Sequence, residues 1–208
     1  VGAGGSTGLI AGDGLEGGDP ITIQNAATGS ISVLSAGAYG IRVGNFAEIE
    51  LVEGSTLTLG EDAAGSVGLL TGSDGQVDHY GDATVQGIGG TAFALGAGSN
   101  FGRFDEPQGR TPGTITLSAE SSVGISGSER NQIFSWGNLE STANQTTGIL
   151  LTNPSDTPQT GGTASNRGEM NFSGSGSRGI VSGSYSVSGN TATGTMSFSG
   201  PDSTAIES

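Results

Sequence analysis

Gly40-Ile41-Arg42-Val43, Ile49-Glu50-Leu51, Leu57-Thr58-Leu59 and Gly68-Leu69-Leu70 follow one another between positions 40 and 70. The first three alternate apolar and polar side chains, as a strand with one buried face does. The fourth returns to the start, a Gly followed by aliphatic residues. A unit this short cannot bury its own inner face, but stacked copies of it can. A return to the opening pattern after 28 residues therefore reads as one coil of a stack.

The same opening recurs along the chain as Gly8-Leu9-Ile10, Gly124-Ile125, Gly148-Ile149-Leu150 and Gly179-Ile180-Val181, with Ala92-Phe93-Ala94-Leu95 filling the gap. Its first apolar positions are 9, 41, 69, 93, 125, 149 and 180, with steps of 24 to 32 residues. A second series comprises Ile21-Thr22-Ile23, Leu57-Thr58-Leu59, Ala83-Thr84-Val85, Ile115-Thr116-Leu117, Met170-Asn171-Phe172 and Met196-Ser197-Phe198. It matches poorly at Asn138-Leu139-Glu140. A third, fainter series comprises Ile31-Ser32-Val33, Ile49-Glu50-Leu51, Val77-Asp78-His79-Tyr80, Ile133-Phe134-Ser135-Trp136 and Tyr185-Ser186-Val187. Thr, Val, Ile and Phe fill these segments, as strands prefer, while Gly, Asn, Asp and Ser bound them, as turns prefer. No helical period is sustained over ten residues. The expected fold is all-β, a single-stranded parallel β-helix (β-solenoid) of about seven coils, roughly 35 Å long at ~4.8 Å between strands. A β-sandwich built from the same short strands is the alternative, kept open by the irregularity near 93–113 and 139.

Composition agrees with a thin core. Gly supplies 41 of 208 residues, there is no Cys, and aromatics make up 5%. Such a chain is either partly disordered or built around small aliphatic side chains. There is no Lys, and the six cations are Arg42, Arg103, Arg110, Arg130, Arg167 and Arg178. The net charge of −14 arises from missing bases rather than from an excess over the 20 acids. Basic patches for nucleic acid or anionic lipid are therefore not expected. No run of ~18 apolar residues is present, so no embedded membrane segment is expected.

The chain divides into three regions. Residues 1–18 read as a flexible Gly-rich extension, 19–200 as the solenoid, and 201–208 as a tail. Two loops interrupt the solenoid, near 100–113 and 153–167. Loops extruded from a solenoid map to one face and often carry recognition. The first loop holds two Phe and two Arg, so Phe101, Arg103, Phe104 and Arg110 are the candidate binding residues.

The densest polar cluster is Asp74, Asp78, His79, Tyr80 and Asp82. Carboxylates beside the single His could serve acid–base catalysis or hold Ca²⁺. On a strand, however, Val77 and His79 face one way and Asp78 and Tyr80 the other. A surface strand with ordinary acids is therefore the expected reading, and no catalytic residue, metal ligand or cofactor is assigned. Gly12-Asp13-Gly14 lacks the rest of a Ca²⁺-binding nonapeptide repeat. The Gly2–Gly8 run has neither the Lys nor the flanking strand and helix of a phosphate loop. Trp136 is expected to pack or cap rather than to offer a ligand platform.

Gly54-Ser55-Thr56-Leu57-Thr58-Leu59-Gly60 and Arg178-Gly179-Ile180-Val181-Ser182-Gly183, on a background free of Lys and Cys, resemble the passenger region of Gram-negative autotransporter adhesins. The resemblance covers most of 30–200 and lies in style rather than in a strict motif. It implies a right-handed parallel β-helix and display outside the cell at the Gram-negative outer membrane, and from its residues the chain is not expected to be an enzyme. The implied partner is a host or neighbouring-cell surface ligand or the chain itself, giving adhesion, self-association or a homo-oligomer. A subunit of an extracellular filament, assembled by strand addition or end-to-end stacking, is the second expectation. A polysaccharide-active β-helix enzyme is the third.

Overall fold

A computed structural model describes residues 7–14, 20–103 and 109–208. Its first coil consists of β1 (Thr7–Ala11), β2 (Ile21–Asn25) and β3 (Ser30–Val33). The second is β4 (Tyr39–Val43), β5 (Ala47–Leu51) and β6 (Thr56–Leu59), and the third β7 (Val67–Leu70), β8 (Gln76–His79) and β9 (Asp82–Val85). The fourth is β10 (Thr91–Ala94), β11 (Asn100–Phe101) and β12 (Thr114–Leu117). The fifth is β13 (Val123–Gly127), β14 (Gln132–Ser135) and β15 (Asn138–Ser141), and the sixth β16 (Thr147–Leu151), β17 (Thr163–Asn166) and β18 (Glu169–Phe172). The seventh is β19 (Arg178–Ser182), β20 (Val187–Asn190) and β21 (Thr195–Phe198), after which β22 (Thr204–Glu207) begins an eighth.

Every third strand joins the same sheet. The orders are β1-β4-β7-β10-β13-β16-β19-β22, β2-β5-β8-β11-β14-β17-β20 and β3-β6-β9-β12-β15-β18-β21. All described pairings are parallel, which gives a three-sided parallel β-helix and leaves no place for the antiparallel sheets of a sandwich. The expected repeat is thus a physical column. Leu9, Ile41, Leu69, Phe93, Ile125, Ile149 and Ile180 pair in succession in the eight-stranded sheet, and Ile206 continues them. Their steps of 32, 28, 24, 32, 24, 31 and 26 share a 24-residue minimum, to which the corners add the rest.

The interior is a stack of such columns. Ile41, Ile49, Leu57, Leu69, Ile125, Ile133, Ile149 and Ile180 are fully buried, each contributing ~1.5–3 kcal/mol of transfer free energy. The Gly that precedes Ile41, Leu69, Ile125, Ile149 and Ile180 is a close approach. A Cβ at Gly148 would stand 2.7 Å from the Gly179 carbonyl oxygen and 3.1 Å from Phe172 Cζ. The corner leading into the eight-stranded sheet is turned in every coil by a left-handed residue: Gly37, Gly65, Gly89, Ser121, Gln145, Gly176 and Asp202. These residues stack too, for Gly37 donates to Ala64 O, Gly65 to Ile88 O and Gly89 to Glu120 O.

Several segments depart from the expectation. In the first coil Ile21–Asn25 belongs to the β2 sheet and Ser30–Val33 to the β3 sheet, the reverse of their grouping by pattern. The poor match at 138–140 is β15, with Leu139 buried and Ser141 in the second inward position. Both expected loops contain a strand. Asn100–Phe101 is β11 and Thr163–Asn166 is β17, where Ala164 and Asn166 replace aliphatic inward residues. Strands also occur within the expected extension (β1) and tail (β22).

Candidate functional site

The chain leaves the regular coil after β11 and rejoins it at Gly113, whose N–H reaches the His79 carbonyl at 3.4 Å. The described part of this excursion forms a strap across the outer face of the β2–β20 sheet. Alternation on β5 points Glu48 and Glu50 outward, and the 28-residue coil step sets Glu50 directly beside Asp78 on β8. Three carboxylates therefore share one face, and two arginines of the strap pair with them. Arg103 Nε and Nη2 donate to Asp78 Oδ2 at 2.9 and 2.7 Å, and Nη2 also reaches Glu48 Oε1 at 3.0 Å. Arg110 pairs with Glu50 and lies over the Tyr80 ring, 4.8 Å from its centroid. Gln76 Nε2 completes the clasp, donating to Asp78 Oδ1 at 2.8 Å and to Gly102 O at 3.0 Å.

The next coils brace the strap. Trp136 Nε1 donates to the Arg103 carbonyl at 2.8 Å, and the Arg167 guanidinium lies 4.9 Å from the Trp136 ring and 4.5 Å from that of Phe134. The hydrogen bond and charge of Asp78 hold the Arg103 guanidinium above the usual arginine range. Burial, then the Asp78 charge, raises the Tyr80 phenol.

Beneath the strap lies His79, 8% exposed. Its ring meets Phe93 edge-on at 5.0 Å and Phe101 at 5.8 Å. Leu51 stands in the same column one coil before, but the strap leaves that column where the next coil would supply a covering residue. His79 Nε2 accordingly has no hydrogen-bond partner among the described residues, and a cavity of about 20 Å³ remains between His79, Phe101, Arg103 and Trp136. Burial lowers the imidazole from 6.5 to about 4, opposed by the charge of Asp82.

Of the four candidate binding residues, Arg103 and Arg110 come together on this face. Phe101 does not join them, because it lies in β11, 3% exposed, in the core beside Phe93 and His79. Phe104 lies outside the described residues. The polar cluster of Asp74, Asp78, His79, Tyr80 and Asp82 is divided as strand alternation requires. His79 faces inward, Asp78 outward beneath Arg103, Asp74 turns a corner with φ +54°, and Asp82 caps the Thr114 N–H at 2.9 Å. No acid–base pair converges there, and among the described residues no group of three His, Asp or Glu side chains is placed to hold a metal. The pattern had not singled out Glu48, Glu50 or Arg167. Aligning the coils by the first series would have placed Glu50 next to Asp78. No helix among the described residues is long and apolar enough to cross a membrane. No family model, curated protein or solved structure matches this chain.

Proposed function

We propose that the chain is an extracellular, cell-surface structural module that acts in adhesion or self-association through the sides of its solenoid and the strap, without enzymatic activity. One observation carries this reading, the outer face of the eight-stranded sheet. Two partly exposed columns run along it on successive coils, Tyr39, Val67, Thr91, Val123 and Thr147 in one and Leu70, Ala94, Ser126, Leu150 and Val181 in the other, so that aliphatic side chains recur among Thr, Ser and Ala. Exposed aliphatic side chains repeated along one face and interleaved with hydroxyls offer a contact for another macromolecule. The strap adds a polar edge on a neighbouring side, where Arg103 and Arg110 are paired with carboxylates. The likeness to autotransporter passengers supports display outside the cell at the Gram-negative outer membrane.

The test is clumping of cells that display the chain. Leu70→Glu combined with Leu150→Glu should reduce it about tenfold or more, each buried contact being worth ~1–3 kcal/mol. Equal clumping by native and variant chains would overturn the reading. Loss of glycan cleavage on replacing Asp78 by Ala would instead establish the enzyme alternative. A second reading is a filament subunit, in which strand edges of the parallel stack pair with those of a neighbouring copy. Rods in negative-stain images of the purified chain would support it, and isolated particles at every concentration would exclude it.

A further inference from the structure

The 20 acids of the chain are unevenly shared among the three sides. β5 carries Glu48 and Glu50, and β8 carries Asp78. β9, β15 and β18 carry Asp82, Glu140 and Glu169. In the eight-stranded sheet the strands from β4 to β19 carry none. Their outward positions hold Tyr, Val, Leu, Thr, Ser and Ala, with Arg42 and Arg178 as the charges. Acids instead line both margins of this side, exposed at the corners. Glu61, Asp62 and Glu120 stand ahead of its strands, and Asp74 follows one of them.

This distribution selects an occupant. At a net charge of −14, two copies repel each other, and the other two sides carry carboxylates on their strands. The acid-free strip is the side on which two copies can meet with no carboxylate at the centre of the contact. Sheets pack face to face at ~10 Å with their outward side chains interdigitating. Within one column of the strip, the larger Leu70 and Leu150 flank the smaller Ala94 and Ser126. One surface therefore supplies both the projections and the trough of a self-complementary contact. Its six strands, at ~4.8 Å apart and about four residues of ~3.4 Å each, span roughly 30 by 14 Å, or about 400 Å² on each copy. That lies at the low end of specific interfaces. Such a contact is weak between free chains and gains strength where many copies are displayed together.

We infer that the partner of the acid-free strip is the same strip of a second copy, so that the solenoids associate side by side. This rests on the reading of this sheet as the contact surface proposed above, and it names the occupant.

The chain has no Cys, so a single introduced thiol reports on one side at a time. Val123→Cys places it on the strip, and Thr116→Cys and Gln132→Cys place it on the other two sides. Alkylation of the reduced full chain by a polymer-linked maleimide is followed as protein concentration rises from about 10 μM to about 1 mM. For a contact of this size, with a Kd of ~100 μM, the Val123→Cys rate should fall about fourfold while the other two stay constant. Raising salt from ~0.05 to ~0.5 M should deepen the protection, because it screens the acidic margins. Ala94→Glu, at a partly exposed position, should remove the protection at the lower salt. Equal protection at all three thiols, or protection that salt weakens, overturns the inference. So does an unprotected Val123→Cys at the highest concentration. If that result accompanies clumping of displaying cells that Leu70→Glu with Leu150→Glu still reduces, the strip stands as the contact and binds a different macromolecule. If the clumping is also unchanged, both readings fall.

Discussion

His79 makes the stability of the third and fourth coils dependent on acid, and the size of the effect follows from its surroundings. Burial against Phe93 and Phe101 lowers the imidazole from 6.5 to about 4, a gap of about 2.5 pH units. The unfolded chain therefore takes up a proton first as pH falls, while the folded chain excludes it. Stability is unaffected above about pH 6.5, declines between 6.5 and 4, and levels off below the folded value. At ~1.4 kcal/mol per pH unit the total loss is about 3 kcal/mol. Urea unfolding followed by Trp136 fluorescence, the single tryptophan two coils away, measures it at about pH 7.5 and about pH 4. His79→Leu supplies the reference, because it keeps an apolar side chain in the column of Leu51 and removes the proton site. The 20 acids titrate in both chains and cancel in the comparison. Native protein should lose about 3 kcal/mol more than the variant over this interval. Parallel pH profiles would refute the reasoning and show that His79 is solvated when folded.

Two further substitutions test the clasp and the close approach. Arg103→Ala strands the carboxylate of Asp78, which is nearly buried, and should cost about 1–3 kcal/mol in urea unfolding. Repeated in an Asp78→Asn background, the same substitution should cost less than about 1 kcal/mol, because the charge that needed a partner is gone. Gly148→Ala forces a methyl group to within 2.7 Å of the Gly179 carbonyl and should cost about 1–3 kcal/mol, read as a lowered Tm. A neutral result there would mean that the coils separate readily at β16 and β19.

Where the inner column is aliphatic, the coil was legible in the sequence. Leu9 to Ile180 mark it without a gap, since each follows a residue small enough to let the neighbouring coil approach. Where polar side chains fill the interior, hydrophobic pattern had nothing to detect. Asn166 is buried with its Nδ2 donating to Gly168 O at 3.0 Å and Asn190 Oδ1 at 2.8 Å, while its Oδ1 has no partner among the described residues, so β17 looked like a loop. Ser141 does the same in β15 through Leu117 O at 3.0 Å. The strap was visible as an unusual composition, and Arg103 and Arg110 were found in it. Their partners were not, because Glu48, Glu50 and Asp78 meet across a coil step whose length varies and only the register fixes it. Phe101 was misplaced for a related reason, as a strand two residues long has no period to recognise.

Each interior strand is bonded only to the strands three places before and after it in sequence, and this governs how the molecule yields to force. Pulled from its two ends, the described chain resists through backbone pairing between neighbouring coils, with the Arg103–Glu48 and Arg110–Glu50 pairs as ties that span two coil steps. It unwinds from a terminus, one coil at a time, and each loss leaves the remainder intact. A coil of 24 to 32 residues releases ~80–110 Å of extended chain at ~3.4 Å per residue. The spring is therefore uneven, lengthening most where the first, fourth and sixth coils carry their extra corner residues.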